Sequence, residues 1–196
     1  MSRYVITIVL VCAVVLGGLF TFTAAYSTCS DRHTDVARMQ TRLLRECDIL
    51  ADMTPRIAAL TLRYAPRLSG LVHTAELARV RLNEHRSPAD MARAYRYLQR
   101  MLQQMIDTLD EHPRAANLPA YTDVRTAFSE QTRKVAQVVG QYNEAAVMLN
   151  AALAHPTSAL WKDVMGFGVV ELFDAQATSN TVKRVVAPVR VRAGSG

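Results

Sequence analysis

The sequence predicts an all-α protein: an N-terminal transmembrane helix, then an antiparallel up-and-down bundle of three long helices and one short helix. Three observations carry this. Val5 to Ala25 is a run of 21 residues without a charge. From Val36 onward, apolar residues recur at intervals of seven with companions three or four residues away, the period of a helix packed on one face. Half of the 196 residues are apolar while glycine and proline number only 8 and 7, so a core is available and helix breakers are few.

At ~1.5 Å per residue the charge-free run spans roughly 30 Å, the thickness of a bilayer's hydrocarbon core. Tyr4 and Tyr26 bracket it, as suits a membrane–water interface. The run exceeds a signal-peptide core of about 7–15 residues, so an uncleaved anchor over residues 5–26 is expected, behind a short tail over residues 1–4. Arg3 stands on one side and Arg32, Arg38, Arg42 and Arg45 on the other. That excess of positive charge puts the following domain on the cytoplasmic side.

The first bundle segment shows Val36, Leu43, Leu50, Ile57, Tyr64, Leu71 and Ala78 at heptad spacing. Met39, Met53 and Leu60, then Leu68, Ala75 and Leu82, fill the companion positions, giving a bundle or coiled-coil seam. Pro55 and Pro66 interrupt it, so one long kinked helix over Asp31–Asn83 is expected, running on from the anchor. Ser87-Pro88-Ala89-Asp90 starts a second helix: Ser87 caps, Pro88 takes the first helical position and Asp90 meets the positive end. Met91, Ala94 or Tyr95, Leu98, Met101 or Leu102, Met105 and Leu109 mark one face, and His112-Pro113 ends it. A third helix is expected over Ala120–Ala154, with Val124, Phe128, Gln131, Val135, Val138, Tyr142, Ala145, Leu149 and Ala152 as its stripe. Pro156 stops that helix; a short one follows over Ser158–Met165, ending at Gly166. The bundle domain thus covers residues 31–174.

Net charge is +6, and residues 175–196 supply +4 of it through Lys183, Arg184, Arg190 and Arg192 with no acid. The basic balance is therefore mostly a disordered tail over 175–196, not a nucleic-acid-binding face. Three scattered cysteines (Cys12, Cys29, Cys47) make neither a disulfide framework nor a zinc site. Cys29 follows the anchor closely, where two parallel anchors in a dimer would bring its copies together for crosslinking.

Two sets of residues carry a family resemblance. Tyr142-Asn143, Asn150, Pro156, Gly166-Phe167 and Phe173 resemble the C-terminal signature of the LemA family, with Leu149, His155 and Asp174 standing where that signature has Tyr, Phe and Glu. Asp52, Pro55 and Tyr64-Ala65 resemble a second family segment, but Pro66-Arg67-Leu68 replaces the His-Glu that follows it there. Pro113 keeps the family's interval from a Glu-x-Pro to Tyr142-Asn143. The resemblance covers about Thr34 to Asp174. It implies a LemA-like four-helix bundle, no assigned catalytic activity, and a bacterial inner-membrane protein with its N-terminus outside and its bundle inside.

The residues themselves lead away from catalysis. The five histidines lack mutual ligand spacing and read as solvated or capping groups. Asp107, Asp110 and Glu111 read as a solvated helix end. The chain has no glycine-rich phosphate loop and no nucleophile elbow. No cofactor, metal or small-molecule substrate is signalled. Tyr142, Asn143 and Asn150 are expected to hydrogen-bond the return from Pro156 to Phe173 and hold it on the bundle. The expected function is a non-enzymatic, single-pass membrane scaffold or adaptor whose partners are the lipid bilayer and either a second copy or another membrane protein. The alternative is an envelope-facing module that binds a cell-envelope ligand.

Overall fold

The computed structural model describes residues 3–84 and 87–173. The expected tail over 175–196 lies outside them, as do Asp174 and His85. The described chain is helical and without strands among the described residues.

Helix α1 (Arg3–Ala51) runs unbroken for 49 residues, about 74 Å, and joins the charge-free run to the first bundle segment. Its most apolar window has a mean hydropathy of 2.7, long and apolar enough to cross a membrane. From Tyr4 to Phe20 the side chains are exposed, with Gly18 partly covered; contact with the rest of the chain begins at Phe22, Ala25 and Cys29.

Two proline-linked breaks follow. At Asp52-Met53 the Met53 N–H reaches back only to Leu50 C=O (3.1 Å), tightening the last turn. Helix α2 (Thr54–Tyr64) then starts with Pro55 in its first turn, where a missing N–H is harmless. At Ala65 the backbone (φ −137°, ψ 62°) leaves the helical region, as a residue before proline tends to, and a 3-10 turn over Pro66–Leu68 leads into α3 (Ser69–Asn83). The expectation of one kinked helix over Asp31–Asn83 is corrected here: α3 turns back and becomes a bundle member in its own right. Periodicity shows that a helix has a buried face, but a continuous helix would have carried the face of α3 past the end of α4. Reversal buries Val72, Ala75, Ala78 and Leu82 instead.

Helix α4 (Pro88–Asp110) begins on the expected cap: the Asp90 N–H donates to Ser87 Oγ (3.1 Å), and Ser87 Oγ donates to the Asp90 carboxylate (3.0 Å). The short α5 (Pro113–Ala116) connects to α6 (Pro119–Ala154), and α7 (Pro156–Met165) precedes an extended return over 166–173.

Contacts between helices set the directions. Helix α2 packs against α4, and Tyr64 at the end of α2 tilts against His112 just past the end of α4, so α1–α2 and α4 run the same way. Helices α3 and α4 pack on each other, and Ala78 and Leu82 near the end of α3 line one cavity with Met91 and Ala94 near the start of α4, so α3 opposes α4. Arg32 reaches Met148, Arg42 reaches Gln141, and Gln131 reaches Glu46, so α6 opposes α1. The result is up-down-up-down: α1–α2, α3, α4 and α6. One core joins Val36, Leu43, Leu50 and Ile57 to Leu98, Leu102, Val135 and Leu149, with a satellite of Leu109, Ala115 and Tyr121 at the far end.

Since Tyr64 is level with His112, the start of α4, 24 residues earlier, is level with about residue 40 of α1. Nearer the N-terminus, only α1 and α6 continue side by side. Their shared apolar face is closed there by α7 and the return, which bring Met165 and Phe173 into the core.

Candidate functional site

The most elaborate polar arrangement lies where α6 meets the return. Extended backbone packed on a helix presents N–H and C=O groups that the helix backbone cannot pair, since its own are used internally. Side chains of α6 supply the partners. Asn150 accepts from the Val170 N–H (2.9 Å) and donates to the Val170 C=O (2.9 Å). Seven residues earlier, Asn143 accepts from the Phe173 N–H (2.8 Å) and donates to its C=O (3.0 Å). Each primary amide thus pairs one residue of the return as a neighbouring β-strand would. Between them, the Tyr142 hydroxyl donates to the Glu171 C=O (2.9 Å). Its ring is fully buried, and burial, with a smaller contribution from Glu171, pushes the phenol up to about 12.

The ends of the return are set by backbone and packing. Pro156 occupies the first turn of α7 behind an extended His155. Gly166 closes α7 in the left-handed conformation (φ 72°), its N–H on Lys162 C=O, which suits a glycine. Phe167 packs against Tyr26 and His33 of α1, and Trp161 meets Phe22 edge to face at 5.4 Å. Trp161 is half-buried, and its indole N–H is buried without an acceptor among the described residues. Phe173 is fully buried and tilts against Tyr95.

The remaining signature residues lie elsewhere. Asp52 is exposed at the α1–α2 break and Pro55 opens α2. Tyr64 is half-buried at the far end beside His112, and Pro113 starts α5. The structure therefore brings together Tyr142, Asn143, Asn150, Gly166, Phe167 and Phe173, with Pro156 at the turn that leads to them, and leaves Asp52, Pro55, Tyr64 and Pro113 as helix-junction residues at other levels.

Two polar ties escape sequence reasoning. Tyr121 donates to Asp110 Oδ1 (2.7 Å), with Ile106 C=O also within 3.0 Å, and Arg125 pairs the same carboxylate (3.2 Å). Burial first, then this hydrogen bond, raises the Tyr121 phenol well above its ordinary value. Asp110, exposed at the end of α4, is thus also part of a tie between α4 and α6. Buried Gln131 donates to both the C=O and the carboxylate of Glu46 (2.9 Å each), joining α6 to α1. A polar residue on an apolar stripe was the only signal for the second tie. A third difference concerns Cys29, which is fully buried in the core and cannot serve as an accessible crosslinking point.

Taken together, these features define a helical-bundle protein whose long apolar N-terminal helix is also a bundle wall, closed by a clamped C-terminal return. The LemA family model matches residues 39–186, or 148 of 196 residues, and the protein belongs to the LemA family. Comparison with curated proteins gave no match.

Proposed function

We propose that this protein is a non-enzymatic, single-pass membrane scaffold or adaptor that works through helix packing with a second copy or with another membrane protein. The bundle lies on the cytoplasmic side of a bacterial inner membrane, with the N-terminus outside. The observation that carries the reading is the continuity of α1 from Arg3 to Ala51: the apolar segment and the first bundle wall are one helix with no hinge. A change of tilt or rotation in the anchor is thereby coupled to the bundle. The polar groups of α6 support the same reading, since Gln131, Tyr142, Asn143 and Asn150 are engaged in holding the fold. The arginine excess beyond the anchor supports the orientation.

The test has two parts, both on the full chain in membranes. Protease added to sealed right-side-out vesicles should spare the bundle and should digest it in inverted ones; the opposite pattern supports an envelope-facing module and sinks the scaffold reading. A photo-crosslinking residue at exposed Val147 or Met148 on α6 should give one discrete adduct, either a dimer or a complex with a defined membrane protein. Monomer alone under both probes overturns the proposal.

A further inference from the structure

We propose that α7 is a second membrane contact, an interfacial helix that rests in the bilayer's boundary region beside the exit of α1, with Leu160 and Val164 facing lipid. The inference rests on the membrane reading above and adds a lipid-bound element outside the transmembrane run.

Depth is the first argument. A span of about 20 residues counted from Val5 ends at Ala24, and Phe22 lies about 3 Å short of that limit. Trp161 packs on Phe22 (5.4 Å), so α7 sits at the level where the hydrocarbon ends. Tryptophan concentrates at this boundary. Phe167, further along, packs on Tyr26, one residue past the charge-free run.

Exposure is the second. The side of α7 that faces the protein carries Ser158 and Met165, both buried. Leu160 and Val164, one turn apart, are 74% and 69% exposed, as much as Phe20 (74%) in the uncovered part of α1. In water two such neighbours would form an apolar ridge without a partner. At the depth of Phe22 the surroundings of that ridge are acyl chains and glycerol backbones, continuous with those around Tyr4–Phe20. Exposed Lys162 fits as well, since its long chain can carry the ammonium toward the headgroups. Occupancy by lipid follows from this continuity: the covered stretch of α1 begins where α7 does, so the bundle meets the membrane surface without a stalk.

The single tryptophan makes the test direct. The full chain is reconstituted into phosphatidylcholine vesicles with or without bromine on the acyl chains, and emission is read from native Trp161 and from a Trp161→Phe/Val164→Trp variant. Retained helical circular dichroism shows that the variant folds. Both proteins should float with the vesicles, emit at short wavelength, and lose most of their emission to bromine near the glycerol end and less to bromine near the methyl end. Flotation with a water-like, unquenched Val164→Trp overturns this inference and leaves the anchor standing. A blue-shifted emission that bromine does not touch also overturns it, because another protein surface then covers the ridge. Failure to float sinks the membrane reading and this inference together.

Discussion

Asn143 and Phe173, 30 residues apart in sequence, form a closed pair in which one side-chain amide satisfies both backbone groups of the other residue, at 2.8 and 3.0 Å. Asn150 repeats the arrangement on Val170. The α6 helix thus offers two amides seven residues apart to two residues of an extended segment three apart, and the return is held by its backbone as well as by the packing of Phe167 and Phe173.

Replacing either asparagine by alanine should release the return before the bundle melts. Each change leaves two backbone groups without partners, at about 1–3 kcal/mol per unsatisfied group where water cannot reach. Hydrogen exchange should quicken at Val170 in Asn150→Ala and at Phe173 in Asn143→Ala, with the α4 core amides unaffected. Unchanged exchange at both positions would show that apolar packing of Phe173 alone holds the segment.

Tyr142 separates packing from hydrogen bonding. Tyr142→Ala should cost ~3–5 kcal/mol, the usual range for emptying a buried aromatic site. Tyr142→Phe should cost only about 1 kcal/mol, the net worth of the bond to Glu171 C=O. Denaturant midpoints would measure both. Equal losses would mean that the hydroxyl, not the ring, dominates.

Alkaline pH should unfold the domain cooperatively. Burial raises Tyr95, Tyr121 and Tyr142, the last to about 12, and burial reinforced by Asp48 and Glu46 raises the Cys47 thiol to about 12. These groups bind protons more tightly when folded. Their contribution to stability is therefore complete below the unfolded values of about 9 to 10 and is lost as pH climbs toward 12. Ultraviolet absorbance of the Tyr95, Tyr121 and Tyr142 phenolates should rise in step with the loss of helical circular dichroism. Ionisation of these three near pH 10 with the helices intact would contradict the burial.

Gly166→Ala should destabilise through conformation alone. A methyl group there meets no atom within 4 Å, but the φ of 72° costs an alanine roughly 1–2 kcal/mol. Gly166→Asn should recover part of the loss, because asparagine tolerates this region better. Thermal melts of the three proteins decide it; indifference to both would mean that the α7 terminus refolds around the substitution.

Thiol chemistry should distinguish the cysteines. Cys29 and Cys47 are both buried in α1, 18 residues or about 27 Å apart, far beyond the roughly 7 Å that a disulfide spans. Maleimide should label neither in the folded protein and both after denaturation. Oxidation of folded protein should give no Cys29 dimer, and finding one would require α7 and α6 to detach from α1.

The sequence by itself determined the helical class, the long charge-free run, and those boundaries that local chemistry sets: the Ser87 cap with the Pro88 start, the end of α6 before Pro156, and the Gly166 stop. These depend on backbone groups within a few residues, so neighbouring letters suffice to read them. Tertiary structure alone decided that Ala65–Pro66 reverses the chain while Pro55 only interrupts it. A proline ends a helix, but the angle afterwards depends on what the next helix can bury, and α3 finds α4. It also decided that Tyr121 reaches Asp110, that Gln131 reaches Glu46, and that Cys29 is buried in the core. Periodicity identifies the face of a helix that leaves water and is silent on which surface receives it.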